Sequence, residues 1–182
     1  LQGDLPHRTQ LQSRRVGRDP STEKRVVEIE TDYYEIGFAS GLGYNCLVYS
    51  LQQCLGVDVD VEAVRRDLKE EFSVRCGVAC APHGLTCQGD CMKVYDENYL
   101  NTDHWEAVIR LIGRHSSAGA SSPFNSADFC VRVIELTWDS SGIVLGHPAA
   151  PRHLTIAREH GNHFVPVLPC NYPAQGKVWS SW

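Results

Sequence analysis

The sequence predicts an α+β fold, in which helices early in the chain pack on a mostly antiparallel central β-sheet formed largely by the C-terminal half. In the first 115 residues, apolar side chains recur at helical spacing in three segments. From residue 129 to residue 168, the apolar segments are instead short, rich in β-branched and aromatic residues, and separated by turns. Helices followed by strands are typical of an α+β domain.

The predicted elements follow from these patterns and from their end signals. The first helix ends at Gly56, and the second begins after Asp60, which is a favourable capping residue. The predicted helices cover residues 46–55, 61–72 and 103–115. The predicted strands cover residues 26–30, 33–36, 129–138, 143–145, 153–157 and 163–168.

Composition limits the kinds of partner. A chain of 182 residues fits one domain, and we place it at residues 26–182. Residues 1–25 are basic and polar with little apolar periodicity, which predicts a flexible arm or linker. The net charge of −5 disfavours a nucleic-acid partner, and no apolar run approaches the roughly 18 residues that span a bilayer. We therefore expect a monomer that binds neither nucleic acid nor membrane.

A cysteine lies where a glycine-rich turn becomes an apolar helix, in the run Gly-Leu-Gly-Tyr-Asn-Cys-Leu over residues 41–47. At a helix start, unpaired backbone N–H groups and the positive end of the helix dipole stabilise a thiolate and an adjacent oxyanion. Cys46 is therefore a candidate nucleophile, and Gly43, Tyr44 and Asn45 form the candidate oxyanion loop. The alternative is a buried structural thiol.

A candidate base follows near the end of the chain. His163 opens an apolar, strand-like run directly after a turn. Thiol and imidazole groups of cysteine proteases commonly come from distant segments that meet in the fold. His160 is a minor alternative, and we expect the His163 strand to face the start of the Cys46 helix.

These two segments resemble the ovarian tumour (OTU) family of papain-like cysteine proteases, most of which are deubiquitinases. The resemblance rests on Asn-Cys-Leu-x-Tyr-Ser-Leu over residues 45–51 and on His-Phe-x-Pro-Val over residues 163–167. The family's nucleophile box has the form Asp-Gly-Asn-Cys-Leu-aromatic, whereas this chain has Gly43-Tyr44 in place of Asp-Gly. Many members also carry Asn or Asp two residues after the histidine, where this chain has Val165.

The third catalytic residue is accordingly open. Candidates are Asp32, Asn162 and Asn171, and a Cys/His dyad is a further alternative. Asn162 is adjacent to His163 in a strand and should point to the opposite face. Some family members take this residue from upstream of the cysteine, so the resemblance favours Asp32.

Four cysteines lie within sixteen residues of a glycine-rich segment, at Cys76, Cys80, Cys87 and Cys91. Their spacing is compatible with a structural zinc site, with disulfides in an oxidising compartment, or with free thiols. Spacing alone does not decide among the three.

The resemblance implies a cysteine protease that cleaves after the C-terminal tail of ubiquitin or a ubiquitin-like protein and needs no cofactor for catalysis. It further implies a microbial effector or viral enzyme in the cytosol, including that of a host cell. Two alternatives remain: a papain-like protease that processes a polyprotein or itself, and a non-catalytic binding module stabilised by metal or disulfides.

Overall fold

The computed structural model describes residues 11–80, 100–117, 124–136 and 141–170, except for the side chains of 73–80 and 141. The strands are β1 Leu11–Arg18, β2 Arg25–Ile29, β3 Asp32–Ile36, β4 Phe129–Glu135, β5 Ser141–Leu145, β6 Arg152–Glu159 and β7 His163–Pro169. The helices are α1 Cys46–Leu55, α2 Val61–Cys80 and α3 Trp105–His115. In these ranges the chain is α+β, as predicted, and no helix is long and apolar enough to cross a membrane.

The sheet differs from the predicted one in closure and in strand direction. The strands form a closed barrel in the order β1-β2-β3-β7-β6-β4-β5. All neighbours are antiparallel except β4 and β6, which run parallel. The cause is that β5 folds back on one edge of β4, so the chain has reversed twice when β6 reaches the other edge. Three strands from the N-terminal half complete the barrel. The sheet is thus mostly antiparallel, as predicted, but it closes into a barrel, contains one parallel pair and draws its strands from both halves of the chain.

The predicted arm at residues 1–25 is partly a strand. Residues 11–18 form β1, which pairs with β2 on one edge and with β5 on the other. A segment with its backbone paired on both edges is part of the barrel, so the prediction of flexibility does not hold for residues 11–18. Residues 1–10 lie outside the described part of the chain.

Two apolar clusters lie on opposite faces of the barrel wall. The outer cluster joins the three helices to the sheet and includes Phe164 and Ile156. The inner cluster fills the barrel and includes Val165, Val167 and Ala157. Since successive side chains of a strand point to opposite faces, β6 and β7 contribute to both clusters.

Helix α1 has the predicted bounds and packs on β6 and β7. Its end is fixed by Gly56, whose left-handed φ of 68° favours glycine and whose N–H donates to the Gln52 carbonyl at 3.0 Å. Leu47 and Leu51 of this helix are fully buried in the outer cluster. This packing directs the N-terminus of α1 toward the beginning of β7.

Candidate active site

The glycine-rich turn before α1 contains two left-handed residues. Gly43 has φ of 63° and Tyr44 has φ of 59°. The turn is closed by hydrogen bonds from Tyr44 N to Gly41 O at 3.1 Å and from Asn45 N to Leu42 O at 3.3 Å. Tyr44 occupies the position at which the OTU nucleophile box has glycine, and it adopts a conformation that glycine takes without steric cost. The turn thus holds a tyrosine in a left-handed conformation that glycine would adopt more easily.

Cys46 is the first residue of α1 and its sulfur contacts the backbone of β7 on both sides of His163. The thiol donates to the Asn162 carbonyl at 3.5 Å, and Phe164 N–H donates to the sulfur at 3.4 Å. This edge of β7 is available because β3 pairs only with its other end, at Val167, Leu168 and Pro169. The structure therefore brings the predicted nucleophile to the strand that carries the predicted base.

His163 lies on the opposite face of β7 from Phe164. The alternation places its side chain on the barrel side, with Val165 and Val167, and it is half-buried. A side chain added at Gly41 would meet the imidazole at 3.9 Å from Nδ1, so the ring lies against the turn. Within the described residues, the imidazole makes no hydrogen bond.

Asp32 does not lie beside this pair. Tyr34 of β3 is aligned with Pro169, so Asp32 lies beyond the far end of β7. The length of β7 separates it from His163, roughly 20 Å at about 3.3 Å per residue. Asp32 instead lines a separate cavity of about 360 Å³ with Arg132. The structure thus contradicts the prediction of Asp32 as the orienting residue.

The other candidates for the base and for the orienting residue lie in different places. His160 is exposed in the turn between β6 and β7, with φ of 48°. The carbonyl of Asn162 accepts the hydrogen bond from Cys46 and its side chain is exposed, while Asn171 lies outside the described residues.

Glu159 is aligned with His163 across the β6–β7 ladder, so the two side chains share a face. The Glu159 carboxylate also pairs with Arg25 at 3.0 Å.

The candidate oxyanion loop has a buried side that sequence reasoning missed. Asn45 is fully buried, and its Oδ1 accepts a hydrogen bond from Nη1 of Arg65 at 3.5 Å. The same Nη1 donates to the Tyr44 carbonyl at 3.5 Å. Arg65, from α2, is itself only 4% exposed. The signal in the sequence is slight: Arg65 follows Val64 and lies three residues before Leu68, on the apolar side of α2.

Burial raises the pKa of the Cys46 thiol above its ordinary value, and Cys46 is 0% exposed. Hydrogen bonds from the N–H groups of Phe164, Leu47 and Cys46 itself lower this pKa, as does the positive charge of Arg65. The thiol is therefore protonated at neutral pH in this conformation, while the groups that would stabilise its anion are already present.

Exposed apolar side chains flank the turn. Phe38 is 77% exposed and Leu42 is 75% exposed. Both lie within the connection from β3 to α1, which also carries Gly41 and Gly43. An extended polypeptide approaching Cys46 would meet this connection.

The cysteine cluster is only partly described. Cys76 and Cys80 lie in the last turns of α2, while Cys87 and Cys91 are outside the described residues. Zinc, disulfides and free thiols therefore remain alternative predictions for this segment. Cys54, Cys130 and Cys170 are free thiols. Burial raises the pKa of Cys54 and Cys170 to about 11, which makes both poor nucleophiles at neutral pH.

No protein-family model matches the chain, and no curated protein matches it. Solved structures of similar shape include an OTU deubiquitinase from Wolbachia pipientis wMel bound to ubiquitin, with 16% identity and a TM-score of 0.43 over 75% of this chain and 96% of that one. Another is the viral OTU domain protease from Taggert virus, with 12% identity and a TM-score of 0.42 over 94% of this chain and 92% of that one. Similarity at this level does not assign the chain to a family.

Proposed function

We propose that this protein is a cysteine protease of the OTU type, which cleaves peptide or isopeptide bonds after the C-terminal tail of ubiquitin or a ubiquitin-like protein. The observation that carries the proposal is the position of the Cys46 sulfur, at a helix N-terminus and against the backbone on both sides of His163. The substrate class rests on the resemblance of residues 45–51 and 163–167 to the two OTU boxes.

In the proposed reaction, His163 takes the proton from Cys46, and the sulfur attacks the carbonyl carbon of the scissile bond. Backbone N–H groups around Gly43 to Cys46 hold the resulting oxyanion. The C–N bond breaks, and the amine leaves with the proton from His163. Water then adds to the thioester and loses a proton to His163, which releases the new carboxyl end and regenerates the thiol. This scheme needs no cofactor, and we propose that it operates in a monomer in the cytosol.

The turn has to move before the substrate reaches the sulfur, because Cys46 is fully buried in the conformation described. The movement we propose is a shift of residues 41–45, which would uncover the N-terminus of α1. Tyr44 favours this because its left-handed conformation costs about 1–2 kcal/mol for a residue other than glycine. The exposed Leu42 side chain would then lie at the entrance to the site.

Glu159 is the side chain we propose to orient His163. It is aligned with His163 in the β6–β7 ladder, where opposite Cβ atoms are typically about 4.5–5.5 Å apart. The position two residues after the histidine cannot supply this group, because it holds Val165, whose apolar side chain packs in the inner cluster. The ion pair with Arg25 holds the Glu159 carboxylate at the same end of the barrel.

A non-catalytic binding module is the second candidate. It is favoured by the complete burial of Cys46 and by the raised pKa of its thiol, which are also properties of a structural cysteine. On this interpretation the turn would stay closed, and the sulfur would only form hydrogen bonds with backbone groups at the edge of β7.

A ubiquitin probe with an electrophilic C-terminus distinguishes these candidates. The proposal expects a covalent adduct that Cys46→Ala abolishes and that Cys54→Ala, a matched change in the same helix, leaves intact. Failure of the folded wild-type protein to form an adduct would rule out ubiquitin as the substrate. If a small electrophile alkylates Cys46 only when His163 is present, while the ubiquitin probe gives no adduct, the protein would be a protease with another substrate, such as a polyprotein. The absence of both reactions would favour the binding module.

A further inference from the structure

A buried arginine of α2 contacts the turn that precedes α1. Arg65 is 4% exposed, and its Nη1 reaches the Tyr44 carbonyl and the Asn45 side chain. A guanidinium is charged at every physiological pH, and removing such a charge from water costs several kcal/mol unless other groups compensate. Packing alone does not explain an arginine here, because an apolar side chain would fill the same space at lower cost.

Two partners of Arg65 belong to the residues that immediately precede Cys46. Asn45 is fully buried, and its Nδ2 has no hydrogen-bond partner within the described residues. Its Oδ1 is directed to Arg65, so this side chain does not cap the helix. The contacts of the arginine therefore fix the backbone from which the nucleophile projects.

The charge of Arg65 acts on the sulfur. This positive charge lowers the pKa of the Cys46 thiol and so opposes the effect of burial, in addition to the N–H groups of Phe164, Leu47 and Cys46 itself. Glu62, one turn earlier on α2, has its carboxylate 3.9 Å from the position of a Cβ added at Gly43, and its negative charge raises the pKa of Arg65. His163 faces the same turn from β7. The thiolate would thus form between one buried cation, one exposed carboxylate and the imidazole.

We propose that Arg65 is a positioning residue, which holds the Tyr44–Asn45 turn and supplies the positive charge that stabilises the thiolate of Cys46. Its role in turnover rests on the proposed function. Its effect on the thiol does not, because any electrophile can report the thiolate.

The test is the pH dependence of Cys46 alkylation by iodoacetamide in the full-length chain. The Cys46 peptide is quantified by mass spectrometry, which separates it from the other seven of the eight cysteines. Arg65→Met removes the charge and keeps a side chain of similar length. We expect it to raise the midpoint of the alkylation profile by about one pH unit, the lower end of the effect of an adjacent opposite charge. At neutral pH this corresponds to a roughly tenfold slower reaction.

Two further variants separate charge from structure. Arg66→Met removes the same charge from an exposed neighbouring position and should leave the midpoint within about 0.3 pH unit, because solvent screens it. Arg65→Lys keeps the charge and should restore most of the wild-type midpoint. Equal profiles for wild-type, Arg65→Met and Arg66→Met proteins would overturn the proposal. So would a lysine variant as impaired as the methionine variant, since shape alone would then explain the effect.

An exposed residue keeps the proposal testable if Arg65→Met does not fold. Glu62→Gln removes a negative charge beside the turn, and Glu62 is exposed, so we expect this variant to fold. We expect the midpoint to fall by a few tenths of a pH unit, the opposite direction from Arg65→Met. A rise or no change would contradict the charge balance. If Arg65→Met shifts the profile while the ubiquitin probe gives no adduct, the proposed function fails and this inference stands. If the ubiquitin probe gives an adduct while Arg65→Met leaves the profile unchanged, the proposed function stands and this inference fails.

Discussion

Helix α1 carries a thiol near each end, and the two differ in what surrounds the sulfur. Cys46 donates to the Asn162 carbonyl at 3.5 Å, and Cys54 donates to the Thr155 carbonyl at 3.2 Å. Burial is the main cause of a raised pKa at both. The two thiols therefore share a helix, a kind of hydrogen bond and an apolar environment.

The difference lies in the groups that favour the anion. The pKa of Cys46 is lowered by the N–H of Phe164, by the N–H groups of the first turn of the helix, and by the charge of Arg65. Cys54, near the negative end of the helix dipole, has a pKa of about 11 and no charged group lowers it. At Cys54, burial outweighs the backbone hydrogen bonds with Val167 and Thr155 and makes the thiol inert, whereas a thiol that can become reactive needs the helix start and a nearby cation.

Removing each thiol gives the largest contrast. We expect Cys46→Ala to lower the rate of cleavage of a fluorogenic ubiquitin substrate by at least about 10³-fold, because the bond-forming atom is lost. Cys54→Ala should leave this rate nearly unchanged. Steady-state kinetics of the two purified variants, with circular dichroism to confirm folding, makes the comparison. Similar losses in both would show that α1 contributes packing and no nucleophile.

The stability of the protein at alkaline pH should depend on Cys54. Its folded pKa of about 11 is above the ordinary thiol value of 9.0, so the folded state binds this proton more tightly than the unfolded state. The associated stability is complete below about pH 9 and is lost as pH rises toward 11, by up to about 2–3 kcal/mol.

Urea unfolding of wild-type and Cys54→Ala proteins at about pH 8 and about pH 10.5 measures this effect. The cavity left by the alanine is the same at both pH values. The quantity to compare is therefore how the difference in the free energy of unfolding between the two proteins changes with pH. The wild-type protein should lose its advantage over the variant as pH rises. A difference that stays constant would contradict the raised pKa.

Two glycines of the turn separate backbone strain from simple contact with the imidazole. An alanine at Gly43 would have to adopt φ of 63°, with its Cβ 2.8 Å from Asn45 Nδ2. An alanine at Gly41 would meet His163 at an ordinary contact distance of 3.9 Å. We expect Gly43→Ala to lower the free energy of unfolding by about 1–2 kcal/mol and to disturb the site, while Gly41→Ala changes little. Urea unfolding and the ubiquitin probe report both effects, and equal behaviour would be evidence against a shape imposed by the turn.

Local patterns predicted the parts of the structure that local forces determine. The bounds of α1 agree with the sequence because its apolar spacing and the Gly56 stop lie within eleven residues. The part of the sequence before β4 has no local pattern that predicts closure of the barrel. Strand β1 was missed because Leu11 and Gly17 are its fully buried positions, while arginines and polar residues fill most of the remainder. Its place in the fold comes from backbone pairing with β2 and β5.

The candidate site shows the same division. Cys46 and His163 could be chosen because each lies in a short motif with its own local signal. The error at Asp32 arose because the register of β3 on β7 determines which end of the strand it reaches. Arg65 and Glu159 come from other elements, and their proximity to the turn and to His163 follows from the packing of α2 and from the β6–β7 ladder. Such contacts depend on the closed fold and leave little trace in the sequence.

The smallest expected effect concerns the orientation of His163. Glu159→Gln keeps the size of the side chain and removes its charge, so the imidazole would keep its place on β7 but lose the carboxylate aligned with it. We expect kcat for the ubiquitin substrate to fall by several-fold, up to roughly tenfold, with little change in KM, because ground-state binding does not involve this group.

The matched control is Glu135→Gln, which breaks a comparable ion pair with Arg158, whose side chain lies on the opposite face of β6 from Glu159. Both variants should lose similar stability in urea, since each removes one ion pair between a glutamate and an arginine, and only Glu159→Gln should lower kcat. Equal kcat values in the two variants would leave Cys46 and His163 as a dyad. The contrast between the ends of α1 would then rest on Arg65 and the helix start alone.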